Sequence, residues 1–227
     1  MYRWLLFDAD NTLWDFDAAE ASALERTLRE RDIDWSDEVL GEYREINHRA
    51  WADYERGLLP KEQLRTIRFE RLLERYQLDH PAEELSFNYR TYLSQSTHLL
   101  EGAYELLTTL RPHYRLGMVT NGLREVQRSR LLNTGLDHFF EFVAISDEIG
   151  VGKPQAAFFD YAYAQMDGVD KSAVLVIGDN PVADVRGALD YGFHACWLRH
   201  PGVADQKHLG ETYRIRDIRD LTQLLVF

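Results

Sequence analysis

The first residues that could do chemistry are Asp8 and Asp10, in the run WLLFDADNTL. Two carboxylates one residue apart, directly after a short apolar stretch, repel each other unless something positive stands among them. Other candidates follow at intervals: Thr120-Asn121-Gly122 after RLGMV, Lys153 in GVGKP, and Gly178-Asp179 after AVLVI, with Asp184 close behind. Carboxylates gathered at one place suit a divalent cation with oxygen ligands, Mg²⁺ in kind. A lysine and a hydroxyl exceed what a cation needs and point to a bound anion, most simply a phosphate. Around that anion two neighbouring aspartates can divide the labour. One attacks as nucleophile, and the other serves the leaving oxygen as acid and then as base.

For these residues to meet, the strands they follow must end at one edge. Strand-like runs at 4–8, 115–120, 141–145, 173–178 and 193–198 alternate with helical stretches at 102–111, 123–133, 156–166 and 182–190. Strand, helix, strand at this spacing predicts a mostly parallel sheet, and such sheets bind ligands beyond the carboxyl ends of their strands. Between the first strand and the rest the pattern is purely helical. Asp17 is placed to cap a helix, with Glu20 closing a capping box. Val39, Tyr43, Ile46 and Ala50 recur at helical spacing, and Pro60 and Pro81 introduce two further helices. The expected organisation is an α/β core, residues 1–16 and 97–227, interrupted by an all-helical insertion, residues 17–96. The tail YRIRDIRDLTQLLVF is expected to add one short strand and a closing helix.

The 227 residues carry a formal net charge of −12. That balance argues against a nucleic-acid polymer or an anionic membrane as partner, while a metal ion and one lysine can still reverse the field locally for a small anion. No apolar run approaches a membrane span, and the N-terminal run, broken by Asp8, does not read as a signal peptide. The single cysteine, Cys196, cannot form an intrachain disulfide, which fits a reducing compartment such as the cytoplasm. Nothing bears on oligomeric state.

The set FDADNT, VTNG, GVGKP and GDNPVAD resembles the four motifs of the haloacid dehalogenase superfamily. The resemblance spans nearly the whole chain. It implies a Rossmann-like core with a helical cap inserted after the first motif. It further implies Asp8 as the nucleophile that becomes an aspartyl-phosphate, and Asp10 as general acid/base with its backbone carbonyl on Mg²⁺. Thr120 and the Asn121 amide would hold the phosphate, Lys153 would bridge phosphate and nucleophile, Asp179 would bind the metal, and Asp184 would act behind it through water or Lys153. Asn180 stands where relatives often have a small hydroxyl residue. Asp10 also separates branches of the superfamily, because a halide leaves without a proton whereas an alkoxide needs one; it favours phosphoryl transfer. The strings FDADNTLWDFD, WADYERG and ISDEIGVGKP resemble the bacterial pyrimidine 5′-nucleotidase group, which implies a phosphomonoesterase acting on UMP- or dTMP-like substrates. A sugar-phosphate phosphatase or a β-phosphoglucomutase-like phosphomutase would share the core motifs.

Other residues have plainer readings. Trp51, Tyr54, Tyr89 and Tyr92 could form a base-stacking platform, but aromatics at helical spacing are usually core. Arg68 reads as solvated or salt-bridged, and RSRLL (Arg128 to Leu132) and RIRDIRD as solvated faces. Trp14, Asp15 and Phe16 should form the hinge into the insertion, and Cys196 reads as a small buried hydrophobe.

Overall fold

The computed structural model describes residues 1–201 and 208–225. Six strands form one sheet: β1 (Trp4–Phe7), β2 (Arg115–Thr120), β3 (Phe142–Ile145), β4 (Val174–Gly178), β5 (His194–Leu198) and β6 (Tyr213–Ile215). Their order is β3-β2-β1-β4-β5-β6, and every pairing is parallel. Strand side chains alternate between two faces. Leu5, Phe7, Met118, Leu175, Ile177 and Cys196 enter one apolar cluster, while Trp4, Leu6, Val119, Val174, Val176 and Trp197 enter the other. With both faces covered, the central strands read as nearly continuous apolar runs, which is why the sequence marks them so clearly.

Helices α1 (Phe16–Arg29), α2 (Asp37–Glu55), α3 (Lys61–Tyr76) and α4 (Ala82–Gln95) follow β1. After them come α5 (Ala103–Leu110), α6 (Arg124–Thr134), α7 (Ser146–Ile149), α8 (Ala156–Tyr163), α9 (Gly187–Tyr191) and α10 (Leu221–Leu224). The chain divides into two compact units, Met1–Phe16 with Thr97–Phe227, and Asp17–Ser96. The two crossings between the units are tied together on the core side. The Asp15 N–H donates to the His98 carbonyl at 3.1 Å and the Leu100 N–H to Leu13 at 2.9 Å, with Trp14 and Leu99 in an antiparallel bridge. No helix among the described residues is long and apolar enough to cross a membrane.

Several local expectations are corrected. α1 begins at Phe16, so Asp17 lies in its first turn, and the Phe16 N–H is met by Asn11 Oδ1 at 3.0 Å. Glu20 closes no capping box. It is buried and accepts from Arg44 Nε and Asn47 Nδ2, both at 2.9 Å, because a desolvated carboxylate needs tertiary donors more than a local cap. Asn47 Oδ1 in turn accepts from Arg68 Nη1 at 2.9 Å. Arg68 is therefore a buried member of a polar network rather than a solvated side chain. The stretch 182–190 is not one α-helix: it opens as a π-helical turn, Pro181–Arg186, and continues as α9. α7 lies where no helix was expected, and Val226 and Phe227 of the tail fall outside the described residues.

The aromatics of the helical unit have separate fates. Tyr89 is fully buried against Tyr43 and Phe69, with ring centres 5.5 Å away in each case. Trp51 and Tyr54 are half-buried beside Ala50, Leu59 and Leu64. The Tyr92 hydroxyl donates to Glu30, under the guanidinium of Arg26.

Candidate active site

Asp8 leaves β1 while its backbone N–H still donates to the Ile177 carbonyl of β4, at 2.8 Å. Its side chain thus emerges at the carboxyl edge of the sheet, beside the end of β4. There Lys153 Nζ donates to Asp8 Oδ1 at 2.6 Å, to Asp184 Oδ1 at 2.6 Å and to the Val119 carbonyl at 2.8 Å. All three ammonium protons are engaged, and Asp8, Asp184 and Lys153 are all buried. Carboxylate oxygens of Asp8, Asp179 and Asp184 lie within 4.8 Å of one another.

The loops that bring these groups together are held by named contacts. Asn121, at the end of β2, accepts from the Lys153 N–H at 2.8 Å and donates to the Lys153 carbonyl at 2.9 Å. The side-chain amide that follows one strand therefore fastens the loop that follows another. Asn180 Oδ1 accepts from the N–H groups of Val182 and Ala183 at 2.9 and 3.0 Å, capping the π-helical turn. The Asn180 N–H donates to Asp184 Oδ2 at 3.0 Å, so both oxygens of Asp184 are fixed by the protein. The turn needs glycine at 178, since a Cβ there would lie 2.3 Å from Asp184 Cγ.

Lys153 and its carboxylates do not balance. Burial pushes the Asp8 carboxyl up to about 7 despite the adjacent ammonium, with Asp184 and Asp10 adding in the same direction. Burial likewise pushes Asp179 up to about 9, with Asp8 and Asp184 contributing. Burial also opposes charge on Lys153, but Asp184 and Asp8 overcome it and raise the lysine above its ordinary value. A carboxyl that rises beside an ammonium reports burial first, with the neighbouring carboxylates adding to it. Three converging carboxylates with one ammonium are the donor set that a hard divalent cation fits.

Asp10 stands apart from that cluster in its partners. Its Oδ1 accepts from Arg130 Nη1 at 2.5 Å and its Oδ2 from Gln127 Nε2 at 2.7 Å. Thr120 Oγ1 accepts from the same Gln127 Nε2 at 3.0 Å and from the Gly122 N–H at 3.1 Å. With both acceptor directions taken, the Thr120 hydroxyl keeps its proton to donate elsewhere. Gln127 escapes notice in the sequence, and the expectation of a solvated RSRLL holds for Arg128, which pairs at the surface with Glu148, but not for Arg130, which is fully buried. The signal was the spacing. Val126, Gln127, Arg130 and Leu131 form the buried stripe of α6, and two of its four members are polar.

Cys196 is fully buried on β5, and burial pushes its thiol up to about 12. It is packing, not a nucleophile.

The chain is similar to known proteins along its whole length. Residues 2–192 match the haloacid dehalogenase-like hydrolase family. Over 224 residues the chain is 32% identical to the pyrimidine 5′-nucleotidase YjjG of Escherichia coli, covering 99% of this chain and 98% of YjjG. It is 33% identical over 225 residues to the pyrimidine 5′-nucleotidase PynA of Streptococcus pneumoniae, covering 99% and 95% of the two chains. The HAD-hydrolase YfnB of Bacillus subtilis, solved with bound magnesium, superimposes with a TM-score of 0.91 at 31% identity, covering 100% of this chain and 99% of YfnB. The chain belongs to the haloacid dehalogenase-like hydrolases, and it is an enzyme.

Proposed function

We propose that this enzyme is a Mg²⁺-dependent phosphomonoesterase whose substrate is a pyrimidine nucleoside 5′-monophosphate. One observation carries the reaction type: a buried lysine holds Asp8 at the sheet edge where Asp10 and Thr120 also end. Asp8, taken by the lysine at Oδ1, attacks phosphorus with its other oxygen. The bond from phosphorus to the ester oxygen breaks, and Asp10 donates a proton to the departing alkoxide. Asp10, now ionised, takes a proton from water, whose oxygen attacks the aspartyl-phosphate; phosphate leaves and Asp8 is restored. Thr120 donates its hydroxyl proton to a phosphate oxygen. The side-chain amide of Asn121 is committed to the Lys153 loop, so its phosphate contact falls to the backbone amide. Asp8, Asp179 and the Asp10 carbonyl would hold Mg²⁺, which when bound offsets charge on the phosphoryl group. Asp184 holds Lys153 from behind.

The substrate class rests on the similarity to YjjG and PynA, with the helical unit as the cap that discriminates among leaving groups. The strand-end loops meet only the phosphate and its first ester oxygen. The single cysteine, free and buried, supports a reducing compartment, the cytoplasm. The test is kcat/KM across UMP, dTMP, AMP, glucose 6-phosphate and UTP, each with Mg²⁺ and with chelator. UMP and dTMP should lead, and chelator should abolish turnover. If glucose 6-phosphate leads, the enzyme is a sugar-phosphate phosphatase. A requirement for a bisphosphate activator would make it a phosphomutase.

A further inference from the structure

α6 presents Gln127 and Arg130, three residues apart on its buried stripe, to the loop after β1. Each oxygen of Asp10 thereby receives its own donor, and Gln127 couples one of them to Thr120. Arg130 is fully buried, its guanidinium carbon 4.4 Å from the ring centre of Trp14. Its Nε and Nη2 find no partner among the described residues, and the carboxylate it meets is itself 31% exposed. A buried cation so incompletely paired is expensive to keep. An apolar side chain would pack on Trp14 without that cost. The costly choice stands at the one carboxylate that the phosphatase reading makes acid and base.

We propose that Arg130, assisted by Gln127, is a positioning residue for Asp10. The two donors fix the plane of the carboxylate relative to Thr120, and hence relative to the phosphate that Thr120 would hold. Each oxygen keeps a second lone-pair direction, so one proton still fits on the exposed side. In the first step the Asp10 O–H bond breaks as the O–H bond of the leaving alcohol forms. In kcat/KM, which ends with the first step, the role is therefore felt at the leaving group; the proton that Asp10 later takes from water enters only kcat. It rests on the phosphatase reading above.

The test compares two esters that differ in their need for that proton. An alkyl phosphate, UMP or glucose 6-phosphate, needs it; p-nitrophenyl phosphate, with a stable leaving anion, hardly does. For Arg130→Met, kcat/KM on the alkyl ester should fall by about 10²-fold, the scale of a small misplacement. The fall on the aryl ester should be about ten times less. Gln127→Leu removes one neutral donor, keeps Arg130 on Trp14, and should show the same selectivity at smaller size. It decides the matter alone if Arg130→Met does not fold. Equal losses on both esters in a folded variant would overturn the positioning role while leaving the phosphatase reading intact. A wild-type enzyme inactive on every ester would overturn both.

Discussion

Lys153 has three partners, Asp8, Asp184 and the Val119 carbonyl, where the family resemblance implied a bridge from nucleophile to phosphate. Lys153→Ala should therefore fail twice. kcat should drop by roughly 10²–10³, as for loss of one preorganised charge-stabilising donor. Stability should drop by about 3–5 kcal/mol, because two buried carboxylates lose their counter-charge. Denaturant midpoints and kcat measured together test this; an unchanged midpoint would mean that the ion pairs are idle. The buried carboxyls also make stability depend on pH. Asp179 and Asp8 have carboxyls raised in the fold to about 9 and about 7, above the ordinary 3.8. Each holds its proton more tightly folded than unfolded, so its contribution is complete below the ordinary value and is lost as pH rises through the folded one. In chelator, the melting temperature of Asp179→Asn should gain on wild type as pH climbs from 4 towards 9. A gap that shrinks would reverse the sign of the argument. That Asp8, Lys153, Asp179 and Asp184 would gather at one sheet edge was legible from residue type and motif. Arg130 was not, since a charged residue in a charged string reads as solvated until its neighbours along the helix are counted.

The strands were legible to within a residue or so, because strands buried on both faces are written as short apolar runs. The stretch after β4 was not. Its π-helical turn exists to place Asp184 between the Asn180 N–H and Lys153, a tertiary demand that no local pattern records. Gly178 lets that turn pass close to the strand. Gly178→Ala would drive a methyl group into Asp184 and should cost about 1–3 kcal/mol, as overpacking does. The larger effect should be on kcat, since Asp184 is displaced from the lysine that orients Asp8. Equal activity in the folded variant, measured on p-nitrophenyl phosphate, would show that Asp184 has no part in orienting Lys153.

Over the whole chain, the helical run between two stretches of α/β character was legible because its apolar spacing changes from the pattern around it. What each of its aromatics would do was not, since core and platform share one spacing. The paired crossings at 13–15 and 98–100 carry a consequence of their own. Viewed from the sheet, the entire run from Asp17 to Ser96 is the loop of a hairpin whose stem is already closed. Closing a long loop costs only slightly more than closing a short one, and neither apolar cluster of the sheet contains a residue from that run. Joining Phe16 to Thr97 through a short glycine-serine linker should therefore leave a core that melts cooperatively and still cleaves p-nitrophenyl phosphate, with its preference among natural esters gone. A core that cannot fold this way would show that the stem is not self-sufficient. If it does fold, one catalytic edge can be fitted with different insertions, and a change of diet needs no change in the machinery that breaks the bond.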